Sequence, residues 1–414
     1  MADPPPADKE EEADQPDDRY FAVRGAIVHT VSGPTLHGPI VLCKNGKITA
    51  IGHDLVVPEE AEVLEADGFH LYPGLVSVRS SGIVGSEPPD DNTNVYSLYM
   101  SLGLAGGVTT VATGNTVAKL TFGTLDGHVV KRSVFHTLRY STQDPSGRRK
   151  FRAALDRVQQ YLRDLEDYEA KKKTDPGAKE PDKKWLQRDY ATALKLLKHE
   201  IAAVADANTA QELIDLASLA ERYGIRIVAR GAGEGWVVAP TMARAGLRAV
   251  ITPRTRRDPD ERQNRPNGSS IENARILHDH GVTFAILPLS TRISTSGLAG
   301  RDLMHLPMEA AFAVRGKLPE EGALRAITLD AARILGVDHR VGSIDVGKDA
   351  DFVIVGGDLL HYMTLVRWTV VNGRIAYDKK KDSLLNHIRP DGKRDAPAPT
   401  DDWPRSLGEP ITKS

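Results

Sequence analysis

Residues 72–82 read Tyr-Pro-Gly-Leu-Val-Ser-Val-Arg-Ser-Ser-Gly, and this stretch decides how the rest of the chain is organised. Its apolar run from Leu75 to Val78 has the length of a buried strand. Arg79 and Ser81 follow the run directly, so charged and polar side chains stand where the strand ends. In α/β barrels the functional side chains stand at these strand ends, which makes both residues candidates for a site.

Further strand-length apolar runs follow along the chain. They alternate with helical patterns such as 210–223, 307–314 and 319–335, an order typical of βα units around a parallel sheet. The predicted strands are 75–78, 108–112, 128–131, 135–140, 201–205, 225–230, 248–251 and 283–287. A closed (β/α)8 TIM barrel needs eight such strands, so we predict this α/β fold for residues 73–339.

Short β-rich runs flank the predicted barrel on both sides. Asn45-Gly46 separates two strand-like runs near the N-terminus, and Asn372-Gly373 separates another pair, a dipeptide that predicts a hairpin turn. We therefore expect a small composite β-sandwich domain formed by both ends of the chain, from residues 19–72 and 340–380.

One segment and two tails stand outside this plan. Residues 146–190 contain an amphipathic helical stretch and a charged, Pro-containing loop, which predicts an insertion that faces either water or a partner. Residues 1–18 combine prolines with acidic side chains, which predicts a disordered tail. Residues 381–414 are predicted to form an extended tail.

Composition narrows the classes of function. The formal net charge is −2, so no overall field attracts nucleic acid or an anionic membrane. The basic run at 254–262 is interleaved with acids and predicts a solvated loop. No apolar run reaches the roughly 20 residues of a bilayer span, and Met1 leads into an acidic segment, so we expect a cytoplasmic protein. Cys43 is the only cysteine, which excludes an internal disulfide and a cysteine-based zinc site.

The stretch at 72–82 resembles the first barrel strand of the amidohydrolase superfamily, in which Pro-Gly-Leu leads into an Asp-x-His-x-His pattern. Residues 105–111, Ala-Gly-Gly-Val-Thr-Thr-Val, and much of 327–355 also resemble that family. The resemblance covers nearly the whole chain after residue 18 and is nearest to the imidazolonepropionase-like branch. It implies a barrel with an accessory β-sandwich, and a hydrolase of carbon–nitrogen bonds that uses one or two divalent ions.

The same resemblance implies positions for the metal ligands, and this chain holds other residues there. The aligned residues are Arg79 and Ser81 for the first-strand histidines, Arg139 for the fourth-strand lysine, Asp206 and Asn208 for the fifth-strand histidine stretch, Arg230 for the sixth-strand histidine, and Leu289 for the eighth-strand aspartate. A guanidinium stays protonated and offers no lone pair to a cation. The resemblance therefore implies that the ancestral ion, zinc in this interpretation, is lost and that no cofactor replaces it.

Three functions stay open on the sequence. The first is a structural or regulatory subunit without hydrolase activity, in a homo- or hetero-oligomer with an active amidohydrolase paralogue. The second is a hydrolase with a site rebuilt from His128, His136 and His305. The third is a module in which Arg79, Arg139 and Arg230 bind a small anionic ligand. The arginines could equally pair within the protein, with Asp206 or with Glu234.

Overall fold

The computed structural model describes residues 18–175, 177–295 and 300–382. Its strands are β1 (Tyr20–Arg24), β2 (Ile27–His29), β3 (Thr35–His37), β4 (Ile40–Lys44), β5 (Lys47–Gly52), β6 (Glu62–Glu65), β7 (His70–Pro73), β8 (Leu75–Ser80), β9 (Val108–Thr113), β10 (Thr116–Lys119), β11 (Val129–Lys131), β12 (Phe135–Thr137), β13 (Ala202–Ala207), β14 (Ile227–Gly231), β15 (Arg248–Ile251), β16 (Phe284–Ile286), β17 (Phe352–Val355), β18 (Val366–Val371) and β19 (Arg374–Asp378). Its α-helices are α1 (Pro89–Asn92), α2 (Leu98–Ala105), α3 (Pro145–Lys172), α4 (Asp189–Leu197), α5 (Ala210–Tyr223), α6 (Gly235–Arg244), α7 (Asn273–Asp279), α8 (Leu306–Arg315), α9 (Glu320–Ala326) and α10 (Leu329–Leu335).

Two sheets are built from the ends of the described chain. One has the strand order β5-β4-β1-β6, and the other has the order β19-β18-β17-β7-β2-β3. In the second sheet β17 pairs antiparallel with β7, so strands from distant parts of the sequence are neighbours. Apolar side chains of both sheets, including Phe21, Leu71, Phe352 and Val370, form one buried cluster.

The two Asn-Gly dipeptides form hairpin turns, as their sequences predict. Asn45 and Gly46 have φ angles of 51° and 79°, and Asn372 and Gly373 have φ angles of 51° and 64°. The turns pack against each other, because a Cβ atom on Gly46 would lie 2.9 Å from the carbonyl oxygen of Asn372. The backbone of Ala350 bridges them: its N–H donates to Gly46 (2.8 Å) and its carbonyl accepts from Gly373 (2.9 Å).

The middle of the chain forms two further sheets whose strands alternate with helices, so the chain is an α/β protein. One sheet has the order β12-β13-β14-β15-β16, all parallel, and in the other β8 pairs in parallel with β9. Single backbone hydrogen bonds link the sheets, from Ser81 to Thr291 (2.9 Å) and from Val134 to Asn115 (3.0 Å). Among the described residues no continuous strand ladder joins the two sheets into a closed barrel.

The third predicted barrel strand does not have the expected neighbour. Residues 129–131 form β11, but the antiparallel strand β10 lies between β11 and β9. The chain reverses at Gly114, which has a φ of 53°, and β10 returns along β9. β10 was not predicted from the sequence, because this short strand ends in Lys119, a residue type rarely found fully buried.

The insertion begins as a long helix that packs on the protein itself. Asp144 caps α3, accepting a hydrogen bond from the backbone N–H of Gly147 (2.8 Å). Leu155 and Val158, on the apolar face of this amphipathic helix, are fully buried, whereas Leu165 is only half-buried. The first half of α3 is therefore anchored by its apolar face. No helix in the described ranges is both long enough and apolar enough to cross a membrane.

Candidate functional site

The predicted site residues lie at or beyond the carboxyl ends of the central parallel strands. Arg79 lies in β8, Asp206 in β13 and Arg230 in β14, while Ser81, Asn208, Arg139 and Leu289 follow β8, β13, β12 and β16. The fourth predicted strand was too long, since β12 ends at Thr137 and leaves Arg139 beyond it. Because β13 and β14 are parallel neighbours in which Asp206 is opposite Arg230, these two strand ends meet.

Arg230 and Asp206 form an ion pair at this edge. The Nη2 atom of Arg230 donates a hydrogen bond to Oδ2 of Asp206 (3.0 Å), and the Nε atom lies 2.8 Å from Oδ1. The arginine side chain is 25% exposed and the aspartate side chain is 74% exposed. Both oxygens of the carboxylate therefore face a guanidinium at the position where the family resemblance implies metal ligands.

Asn208 completes the β13 end by packing against β14. Gly231 has a φ of 99°, and a Cβ atom there would collide with Oδ1 of Asn208. Only glycine satisfies both the backbone conformation and the close approach. The backbone N–H of Asn208 donates to Glu212 of the α5 capping box (2.9 Å), so this loop is held by the start of α5.

The other predicted site residues make fewer contacts. Arg79 and Arg139 are exposed, and neither forms an ion pair or a side-chain hydrogen bond with a residue in the described ranges. Ser81 is exposed, and Leu289 is 48% exposed. Of the seven predicted positions, the structure brings Asp206 and Arg230 into direct contact and places Asn208 against the next strand.

Glu234 does not pair with the predicted arginines. Its buried carboxylate accepts hydrogen bonds from the backbone N–H groups of Ala210 (2.9 Å) and Gly268 (3.1 Å), and from the side chain of Arg265 (2.9 Å). Burial alone would raise the pKa of Glu234, but the two backbone hydrogen bonds and Arg265 lower it. The carboxylate joins the start of α5 to the long loop after β15.

A buried pair of Arg254 and Glu309 was not predicted from the sequence. Arg254 contacts Glu309 through Nε (2.7 Å) and Nη2 (2.6 Å), and its backbone N–H also donates to Glu309 (3.0 Å). Its guanidinium also donates to Gly300 and lies 4.8 Å from the ring centre of Phe312. The Glu309 side chain is fully buried. The prediction of a solvated loop at 254–262 is therefore wrong for Arg254, because this arginine pairs with a buried glutamate. The pairing could not be predicted from the sequence, since Glu309 lies 55 residues further along the chain.

The three histidines considered for a rebuilt site have separate partners. His128 bonds to the hydroxyls of Thr93 and Thr121 (both 3.2 Å), and burial lowers its pKa. His136 stacks on Phe151, with ring centres 6.4 Å apart. His305 lies 2.8 Å from the carboxylate of Asp302. Within the residues that the structure describes, no three histidine, cysteine, aspartate or glutamate side chains converge as metal ligands do.

The side chains at the strand ends do not fit a divalent ion. Such ions need converging imidazole or carboxylate donors. Among the seven aligned residues only Asp206 is an anionic donor, and its oxygens face Arg230. These seven residues therefore offer no set of converging donors that fits a divalent ion.

Parts of the chain are similar in sequence to known proteins. Residues 241–389 match the sequence model of the amidohydrolase family. The urease alpha subunit of Yersinia pestis (strain Pestoides F) is 35% identical over 106 residues, which are 23% of this chain and 18% of that protein. The chain therefore matches less than a fifth of the length of this relative.

Solved structures resemble the chain over a longer range. An amidohydrolase from Thermotoga maritima MSB8 superposes with a TM-score of 0.63 and 22% identity, over 87% of this chain and 100% of that one. An adenosine deaminase from Xanthomonas campestris with bound zinc gives a TM-score of 0.51 and 18% identity, over 86% and 92% of the two chains. At this identity the likeness establishes the fold.

The fold is thus the α/β fold seen in solved amidohydrolases. With the match of residues 241–389 to the amidohydrolase family model, it confirms that the chain resembles the amidohydrolase superfamily. Its place in the imidazolonepropionase-like branch stays a prediction.

Proposed function

We propose that this chain is an amidohydrolase homologue without metal-dependent hydrolase activity and that it serves as a structural or regulatory subunit. The observation that carries this proposal is the ion pair between Arg230 and Asp206 at adjacent strand ends. A guanidinium repels a divalent cation and cannot donate a lone pair to it. The resemblance implies a metal ligand at the position of Arg230, and a guanidinium there supports the loss of the metal.

In this proposal the fold is retained as a scaffold. The two central sheets correspond to a (β/α)8 barrel, and residues 19–72 and 340–380 form the accessory β-sandwich. The buried cluster shared by Phe21 and Phe352 supports the second part, because it joins the two ends of the chain. A cytoplasmic location stays part of the proposal.

Metal content tests the loss of activity. The full chain is expressed with added zinc, manganese or nickel, purified without chelators, and measured by elemental analysis. We expect much less than one equivalent of each metal and no hydrolysis of amide, urea or cyclic amidine substrates. One bound equivalent that disappears in Asp206→Asn and persists in Asp258→Asn, an exposed control, would overturn the proposal.

Exposed apolar residues support an oligomeric role. Tyr362, Met363 and Leu365, in the loop between β17 and β18, are 71%, 39% and 59% exposed. Neighbouring exposed apolar side chains are typical of protein interfaces. The partner in this proposal is an active amidohydrolase paralogue or a second copy of the chain.

Native mass spectrometry tests the oligomeric role. The full chain is measured alone and after co-expression with the paralogue, and we expect a defined complex in one of the two samples. Leu365→Glu should weaken the complex, whereas Val56→Glu, at a separate site that is 89% exposed, should leave it intact. A monomer in both samples would reject the subunit role.

A small anionic ligand is the second candidate function. The exposed guanidiniums of Arg79 and Arg139 form no ion pair within the described ranges, and such groups bind carboxylates and phosphates well. Citrate should raise the melting temperature of the wild-type chain and not that of Arg79→Ala. An equal rise in both proteins counts against this candidate.

A further inference from the structure

A cleft of about 420 Å³ opens beside the two packed hairpin turns. Asn45 and Gly46 line it from the first turn, Asn372 lines it from the second, and residues 121–124 after β10 form another wall. The cleft thus lies where the N-terminal part, the C-terminal part and the central sheet meet.

A buried lysine contacts two residues that line this cleft, Asp349 and Asn372. Lys119 is fully buried, and its Nζ atom lies 2.8 Å from a carboxylate oxygen of Asp349 and 2.8 Å from one of Asp351. It also donates a hydrogen bond to Oδ1 of Asn372 (2.6 Å). Burial alone would raise the pKa of Asp349, but the charge and hydrogen bond of Lys119, with further cations, lower it to about 2.

Positive charge exceeds negative charge at the surface of the cleft. Lys47 and Arg340 both contact Asp349, at 2.9 Å and 2.8 Å, so this carboxylate is shared by three cations including Lys119. The charged lining consists of four cationic and two acidic residues, namely Arg19, Lys47, Arg340, Arg374, Asp126 and Asp349. The lining therefore carries two more positive than negative groups.

The excess charge is concentrated on Arg19 and Arg374. Arg19 donates a hydrogen bond to the carbonyl oxygen of Asn372 (2.7 Å), and neither arginine forms an ion pair with a residue in the described ranges. Burial and the positive charge of Arg374 lower the pKa of Arg19, while Glu62 opposes this shift. Two guanidiniums thus repel each other at the edge of an open cleft, an arrangement that an anion would stabilise.

The cleft is separate from the strand-end site. Lys119 pairs with Thr110 near the beginning of β9, and the chain continues into residues 121–124 beyond that point. The cleft therefore lies toward the amino ends of the parallel strands. Asp206 and Arg230 lie toward the carboxyl ends of β13 and β14.

We propose that this cleft binds a small molecule through a phosphate or carboxylate group, held by Arg19, Lys47 and Arg374. Guanidinium and ammonium groups donate charge-assisted hydrogen bonds to such oxygens. Phe122, which lines the cleft and is 39% exposed, provides an apolar surface for the rest of the ligand. The inference is independent of the function proposed for the strand ends.

Isothermal titration of the full chain tests the site, with inorganic phosphate in one series and acetate in another at constant ionic strength. We expect saturable binding of at least one probe, and an affinity at least about tenfold lower for Arg374→Gln, since one charged hydrogen bond is lost. Binding of phosphate alone identifies a phosphate ligand, and binding of acetate alone identifies a carboxylate ligand.

The controls separate this site from loss of folding and from the strand ends. Arg374 is exposed and forms no ion pair with a described residue, so Arg374→Gln should keep the wild-type melting temperature. Arg256→Gln changes an arginine that is 88% exposed and lies outside the cleft, and it should bind both probes normally. Absence of saturable binding, or equal affinity for wild type and Arg374→Gln, would overturn the proposal.

Discussion

At the scale of single residues, Lys119 shows how a buried charge is stabilised. Its ammonium group is fully buried and contacts Asp349 and Asp351. Removing one partner of a buried ion pair is costly, because the remaining charge has neither water nor a partner.

Lys119→Met should therefore lower the free energy of unfolding by about 3–5 kcal/mol, since it leaves two carboxylates with fewer cations. Urea unfolding followed by circular dichroism measures the change. Lys47→Met is the matched control, since Lys47 contacts the same Asp349 but its side chain is 56% exposed. Its effect should stay near 1 kcal/mol or below. Equal effects in both variants would contradict the role of burial.

His29 gives a prediction for pH dependence. Burial, and then the neighbouring His70, lower the pKa of His29 to about 4, against a weaker opposing effect of Asp358. Its Nε2 atom lies 2.9 Å from Nδ1 of His70, and its ring stacks on Tyr72. Below about pH 6.5 this histidine is protonated in the unfolded chain. In the folded chain it stays neutral until the pH approaches 4, so protonation favours the unfolded state.

The folded state should therefore lose stability through His29 as the pH falls from about 6.5 to about 4. The free energy of unfolding should fall by about 1–2 kcal/mol, which is less than the full pKa shift of His29 implies, because the ring is only half-buried. Denaturant titrations of wild type and His29→Asn at pH 7.5 and pH 4.5 isolate this contribution, which should vanish in the variant. His53→Asn, at an exposed position, should retain the wild-type dependence.

At the scale of elements, Glu234 connects α5 to the loop after β15. Its carboxylate accepts the backbone N–H of Ala210, the first residue of α5, together with Gly268 and Arg265. The first N–H groups of a helix lack partners within the helix, and a carboxylate satisfies them with favourable charge.

Glu234→Gln should thus destabilise the fold by about 1–3 kcal/mol, since a neutral amide replaces a buried acceptor of charged hydrogen bonds. Hydrogen exchange should also become faster at the amides of Ala210 and Gly268. Glu261→Gln changes an exposed glutamate in the same loop and should have no measurable effect on either quantity. Unchanged exchange at Ala210 in Glu234→Gln would show that the contact is dispensable.

At the scale of the whole molecule, the two ends of the chain are coupled through one sheet and one apolar cluster. Phe352 on β17 is fully buried in the cluster that also holds Phe21, and β17 pairs with β7. A substitution that destabilises one end of the described chain should therefore also destabilise the other end.

Phe352→Ala should destabilise the protein by about 3–5 kcal/mol through loss of buried area and a residual cavity. Exchange of the β1 amides of Phe21 and Val23 should accelerate with it, although they lie more than 300 residues away. Val346→Ala, at a position that is 62% exposed, is the control and should leave β1 protected. If the β1 amides of Phe352→Ala exchanged as slowly as those of the wild type, the two ends would unfold independently.

Much of the fold could be predicted from sequence periodicity. The helix at 210–223 and the strand at 248–251 have the predicted bounds, and both Asn-Gly turns form hairpins. These helices, strands and turns depend mainly on residues close together in the sequence, so local sequence patterns are sufficient to predict them. The strand β10 and the edge position of β11 could not be predicted, since the burial of Lys119 at the end of β10 relies on acids more than 200 residues away.

The sequence by itself determined which chemical groups occupy the seven aligned positions: arginine, serine, asparagine and leucine, with Asp206 as the only acid among them. Only the tertiary structure decided how those groups are used. It pairs Arg230 with Asp206, binds Glu234 to backbone N–H groups, and joins Arg254 to Glu309. The physical reason is that side-chain chemistry is fixed residue by residue, whereas the neutralisation of a charge depends on groups that folding brings together from distant parts of the chain.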